Sequence, residues 1–127
     1  MTKAEVERLF TDIPPNAETA PKYARIKAAE HKLKLQLTEI LRGTGPDLLA
    51  RTTESTRAFA YVLVEESPSS PDLSAAIRCV RLARELVNEG VATGHLHEVT
   101  EPAFLQVTLA RMQACAAIAL ASGEDIQ

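Results

Sequence analysis

Apolar residues recur at three- and four-residue spacing along most of this chain, and short breaker segments divide the runs into five helices. Thr2 and Glu5 stand in capping-box register and predict a short helix over 3–10. The segment "TDIPPN" then interrupts it, because two prolines remove two N–H donors and favour an extended path. Tyr23, Ile26, Leu33, Leu37, Ile40 and Leu41 form one stripe and predict a second helix over 21–42, ended by "GTGP". A third helix is expected over 46–66, opening at Pro46, with Leu49, Thr52, Thr56, Phe59 and Leu63 on one face. In "SPSSPD", Ser70 suits an N-cap, Pro71 the first helical position and Asp72 the positive end of the helix dipole. The fourth helix is therefore placed over 71–92. Its stripe is Leu73, Ile77, Val80, Val87 and Val91, widened by Ala76 and Ala83. Cys79, Leu82 and Leu86 make a second apolar flank, which predicts burial on two sides. "TGHLHEVT" reads as a loop, with Thr100 capping a last helix over 101–121. The end of that helix, "ACAAIALA", is apolar all round, as expected of a central helix or one in a subunit interface. No segment alternates with period two, so no strand is expected.

The expected fold is an all-α bundle of about five helices built around a helical hairpin. It forms one domain over 1–127, with an N-terminal arm over 1–20, the bundle over 21–121 and a tail over 122–127. Composition agrees: 46% of 127 residues are apolar, which favours a folded chain, and aromatics are only 4% with no Trp. The core must then be built from aliphatic side chains and alanine. Small core residues bury little per protomer, which favours a homo-oligomer. Cys79 and Cys115 read as small buried hydrophobes in a reducing compartment. The opening residues carry no apolar leader, and no run is expected to approach the ~18 apolar residues of a membrane span. The reading is a soluble, cytoplasmic protein with no membrane partner.

Charge changes the picture in one place. The chain has 14 basic and 17 acidic residues, net −3, which argues against general nucleic-acid binding. Yet between Lys22 and Lys34 five basic residues face a single acid, Glu30. Arg25 and Lys32 share one face of the second helix, and Lys27 and Lys34 share another. Such rows serve either as a solvated surface whose stems cover apolar neighbours or as an anion site, most simply for phosphates. Arg78, Arg81 and Arg84 form a ridge on the fourth helix. Glu85 and Asn88, four residues beyond Arg81 and Arg84, are placed to pair with them. The arginines are either structural or hold a phosphate-bearing ligand, with a guanidinium plane stacking on a base. His95, His97 and Glu98 have metal-ligand chemistry but lack further Cys or His partners, so no metal is expected. Glu65, Glu66, Glu85 and Glu89 would need to cluster across facing helices to hold metal, and the arginines beside Glu85 and Glu89 oppose that. There is no Gly-rich phosphate loop, nucleophile elbow or CxxC, and nothing demands catalysis or a cofactor.

Several motifs resemble a family of small phage proteins, the helical-hairpin sponges that counter the bacterial CBASS defence by sequestering its cyclic-oligonucleotide signal. Phe10-Thr11 and Pro14-Pro15 match its opening. Pro68, Ser69, Asp72, Ser74, Ala76 and Ile77 match its turn and second-helix opening. Asn88, Val91 and Ala92 match its closing motif, which "ACAAIA" over 114–119 also resembles. Asp12 stands where the family usually carries an aromatic, and two helices, over 46–66 and 101–121, are additional. The resemblance implies a non-catalytic protein of the host bacterial cytoplasm that binds cyclic di- or trinucleotides, with sites between subunits of a homo-oligomer. The residues expected to bind ligand are Tyr23, Arg25, Lys27, Arg78 and Arg81, with Tyr23 or an arginine plane stacking on a base. The alternative reading is a phage interaction or assembly module with no nucleotide ligand.

Overall fold

The alternation of stripes and breakers is realised as five α-helices in a computed structural model, which describes residues 1–10, 14–43 and 47–125. They are α1 (Lys3–Leu9), α2 (Thr19–Arg42), α3 (Leu48–Glu66), α4 (Pro71–Thr93) and α5 (Leu96–Asp125), with no strand among the described residues. The expected start of the third helix at Pro46 lies outside the described residues, as do Thr11 and Asp12 of the family-like opening. Two caps form as their chemistry dictates. The Thr2 hydroxyl accepts from the Glu5 N–H at 3.2 Å, and Glu5 accepts in return from the Thr2 N–H at 3.1 Å. Ser70 accepts from the Leu73 N–H at 3.2 Å, directly before Pro71.

Helices α2 to α5 form an up-and-down bundle in which α2 packs on α3 and α5, and α4 packs on α3 and α5. The buried positions recur at steps of three, four and seven: Ile26, Leu33, Leu37 and Ile40 on α2, and Leu48, Thr52, Thr56, Phe59 and Leu63 on α3. Leu48 takes the inward place expected for Leu49, which is 47% exposed. Buried Thr52 and Thr56 donate their hydroxyls to Leu48 and Thr52 carbonyls one turn back, so neither adds an unmet polar group to the core. Helices α2 and α4 occupy one diagonal and are not packed neighbours; α3 and α5 lie between them.

The closest pair is α4 with α5. Ala76, Ala83 and Gly90 recur every seven residues on α4, facing Ala103, Ala110, Ala114 and Ala117 on α5. Small side chains let the two axes approach. At Gly90 the approach is tight: a Cβ there would lie 2.6 Å from Val99 Cγ2 and 3.3 Å from the Leu96 Cα. This packing corrects the expected loop over 93–100. The connection is a tight turn at Gly94, whose φ of 75° is left-handed, and α5 begins at Leu96. Thr100 is therefore not a cap; its hydroxyl donates to the Leu96 carbonyl. Pro102 sits inside the helix, where it removes a hydrogen bond at a cost of about 3 kcal/mol. Burial of Ala103 and packing of Leu96 and Val99 against α4 override that local penalty.

The earlier start also changes the hydropathy reading. Within Leu96–Ser122 an 18-residue stretch has a mean hydropathy of 1.4, so this segment is long and apolar enough to cross a membrane by length and composition, contrary to expectation. In the bundle, the inward seam of this helix is the core strip Ala103, Val107, Ala110, Ala114 and Ala117.

An arginine-rimmed groove as the candidate functional site

The two basic rows of α2 straddle its buried stripe, so each lies along a different neighbour. Arg25 faces α3 and grips Glu66 with two parallel bonds, Nε to Oε1 at 2.6 Å and Nη2 to Oε2 at 2.8 Å. This fork lowers the Glu66 carboxyl below its ordinary value, chiefly through the hydrogen bonds, with nearby Lys22 adding a smaller pull. Further along the same flank, Lys32 and Arg51 share a cleft with Glu39 and Glu54, so its charges balance. The other row faces α5. Lys34 donates to the Thr108 hydroxyl at 2.7 Å and approaches Glu30 at 3.5 Å, and Arg111 reaches both Glu30 oxygens at 3.3 Å. Lys27 is exposed beside this network, close enough to Cys115 to act on its thiol. Burial is the stronger influence and pushes the Cys115 thiol up, so it is a poor nucleophile at neutral pH.

Tyr23 is half-buried on the same flank. Its burial raises the phenol pKa, Cys115 adds to the shift, and hydrogen bonding to Thr19 opposes it. The residues expected to form one site are thus dispersed. Tyr23 and Lys27 border α5, Arg25 is held by α3, Arg78 is exposed on α4, and Arg81 lines a cleft. Because α2 and α4 are diagonal, one chain does not bring Arg25 or Lys27 together with Arg78 or Arg81.

Arg81 belongs to a groove of about 330 Å³ between α3 and α4. Ala60, Ile77 and Val80 supply an apolar floor, Thr53 and Thr56 contribute hydroxyls, and Arg57, Arg81 and Arg84 surround it. The lining contains no carboxylate, imidazole or thiol. The expected pairing of Arg81 and Arg84 with Glu85 and Asn88 is absent. Arg84 Nε and Asn88 Oδ1 are both shielded from solvent and both lack a hydrogen-bond partner, although one is a donor and the other an acceptor four residues away. An unmet buried donor costs about 1–3 kcal/mol, so an acceptor brought to Arg84 relieves a penalty already present in the fold.

Physical chemistry assigns this groove a class of guest. Three guanidiniums present fixed forks that match phosphate or carboxylate oxygens. The apolar floor suits a flat ring, and the volume is at the lower end of the range for small-molecule sites. Arg57 was missed from sequence because it lies just outside the α3 stripe, and periodicity does not reveal which helix stands beside it. Arg84 was legible as part of the ridge on α4, but its missing partner was not. At the start of α5, His95 Nδ1 lies 3.0 Å from Glu98 Oε2, and among the described residues no three His, Cys, Asp or Glu side chains are grouped to hold a metal. No protein-family model matches this chain, and comparisons with curated proteins and with solved structures find no match either.

Proposed function

We propose that this protein is a non-catalytic binder of a phosphate-bearing small molecule, and that the ligand seats in the α3/α4 groove. The observation that carries the proposal is the set of three arginines around an apolar floor without carboxylate partners among the described residues, one with a shielded and unmet Nε. The lining supports holding more than turnover, because arginine and threonine offer charge and hydrogen bonds but no group that exchanges protons near neutral pH. The sequence resemblance narrows the ligand class to cyclic di- or trinucleotides, sequestered in the cytoplasm of an infected bacterium. Against the sequence expectation, the binding residues proposed are Arg57, Arg81 and Arg84, with Arg25 assigned to the bundle.

Calorimetry and thermal melting with a panel of cyclic di- and trinucleotides, and with linear nucleotides as a comparison, test this reading. A ligand that binds only the folded state raises Tm by mass action. Binding by wild type with loss in Arg81→Glu is the expected result. No heat and no Tm shift at micromolar concentrations with any of these compounds overturns the proposal.

A further inference from the structure

The outer face of the α4/α5 pair is a surface the groove does not use. Leu82 is 42% exposed on α4, and Leu105 and Met112 are 55% and 51% exposed on α5. Leu105 and Met112 are seven residues apart and share a face. The contact of Gly90 with Val99 fixes the antiparallel register and brings Leu82 level with Leu105, so the three form one patch. Between them lie half-buried apolar residues of both helices. The patch lies on the outer face of the helix pair, and that face as a whole follows α4, whose 23 residues extend ~35 Å. Two helices side by side are roughly 20 Å across, and the resulting ~700 Å² is close to the ≈ 800 Å² per partner of a standard stable interface.

Charge identifies the occupant. Arg78 and Glu85 are both exposed on α4, seven residues apart and hence on one face, with Leu82 between them in sequence. Among the described residues neither makes an ion pair, although Arg78 belongs to the ridge expected to bind ligand. A second α4 laid antiparallel across the first sets Arg78 of each copy against Glu85 of the other. A two-fold axis near Leu82 makes this pairing twice and at the same time covers Leu105 and Met112. We infer that the α4/α5 face binds the same face of a second copy of this chain, as an isologous dimer with Leu82 at its centre and Arg78 an intersubunit residue.

Sedimentation equilibrium up to about 100 µM, a concentration that detects even weak association, tests this without any ligand. Wild type is expected to weigh twice 13.8 kDa. Met112→Glu and Leu105→Glu change side chains already exposed in one chain, so each is expected to remain helical by circular dichroism while associating at least ~10-fold more weakly. Arg78→Glu is expected to weaken the dimer, and the exchange of both charges, Arg78→Glu with Glu85→Arg, to restore it. A variant that loses its helical signal is replaced by Met112→Ser, read in the same way. A monomeric wild type overturns the inference. Flotation with phosphatidylcholine vesicles then shows whether the face meets lipid instead. Dimers that survive both glutamate substitutions place the interface elsewhere and also overturn it, and failure of the double exchange removes the charge argument for a second copy.

Discussion

Two groups of arginines flank α3, and they have opposite fates. On the α2 side, Arg25 is exposed, yet its fork is fully occupied by Glu66. On the α4 side, Arg57, Arg81 and Arg84 line a groove with no acid among its lining residues, and Arg84 keeps a shielded donor without a partner. The Arg111 guanidinium, between α2 and α5, resembles the first group because Glu30 receives it. Local sequence does not separate the groups: both lie beside an apolar stripe on an amphipathic helix. What separates them is the residue that the neighbouring helix presents. A paired arginine fastens two helices together; an unpaired one beside an apolar floor is available to a ligand.

The strongest way to break this comparison is to reverse a charge in the groove. Arg81→Glu removes a charge-assisted hydrogen bond worth about 1.5–3 kcal/mol and adds a repulsion. Affinity for a phosphate-bearing ligand, read by calorimetry, is expected to fall at least ~10-fold. The Tm without ligand is expected to stay nearly constant. A large fall in the unliganded Tm would make Arg81 structural, like Arg25.

The next effect is on the paired side. Glu30→Ala leaves Arg111 without its acceptor and Lys34 without its nearby acid, in a part-buried setting. Chemical denaturation is expected to show a loss of about 1–2 kcal/mol, with ligand affinity unchanged. If affinity fell and stability did not, the assignment of the two groups would be inverted.

Arg84→Met sharpens the contrast at smaller scale. It removes the unmet Nε while keeping an apolar stem against the groove floor, so stability in the absence of ligand is expected to hold or to rise by up to about 1 kcal/mol. Affinity is expected to fall in the same protein. A paired arginine does not show that combination.

The smallest effect is the pH response of the Arg25–Glu66 fork. The folded pKa of Glu66 is lowered, so its contribution is present above the ordinary glutamate value of about 4.3 and is lost as pH falls through the folded value. Because the Arg25 side of the pair is exposed to solvent, the change is expected to be slight and to shrink further in high salt. Comparing wild-type and Glu66→Gln melts between neutral and acid pH measures it: the two curves converge at low pH. Ligand affinity of Glu66→Gln is expected to equal that of wild type.

The sequence by itself determined the helices and most of their inward faces, because both follow from local rules. A seam of Ile26, Leu33, Leu37 and Ile40 is a property of helical period, and the caps at Thr2 and Ser70 arise from residues three positions apart. Local rules also produced the clearest error. Thr100 before Glu101 and Pro102 has the pattern of a helix start, yet α5 begins at Leu96 because Gly90 admits its first turn against α4. Packing across two helices outweighed a proline penalty that the sequence displays plainly. The basic residues divide in the same way. Their concentration on α2 was legible, as was the ridge of Arg78, Arg81 and Arg84, but which of them meets a carboxylate depends on the helix that lies alongside. Only the tertiary structure could place Glu66 against Arg25, leave Arg84 without a partner and bring Arg57 to the same groove, because periodicity specifies a face and not its neighbour.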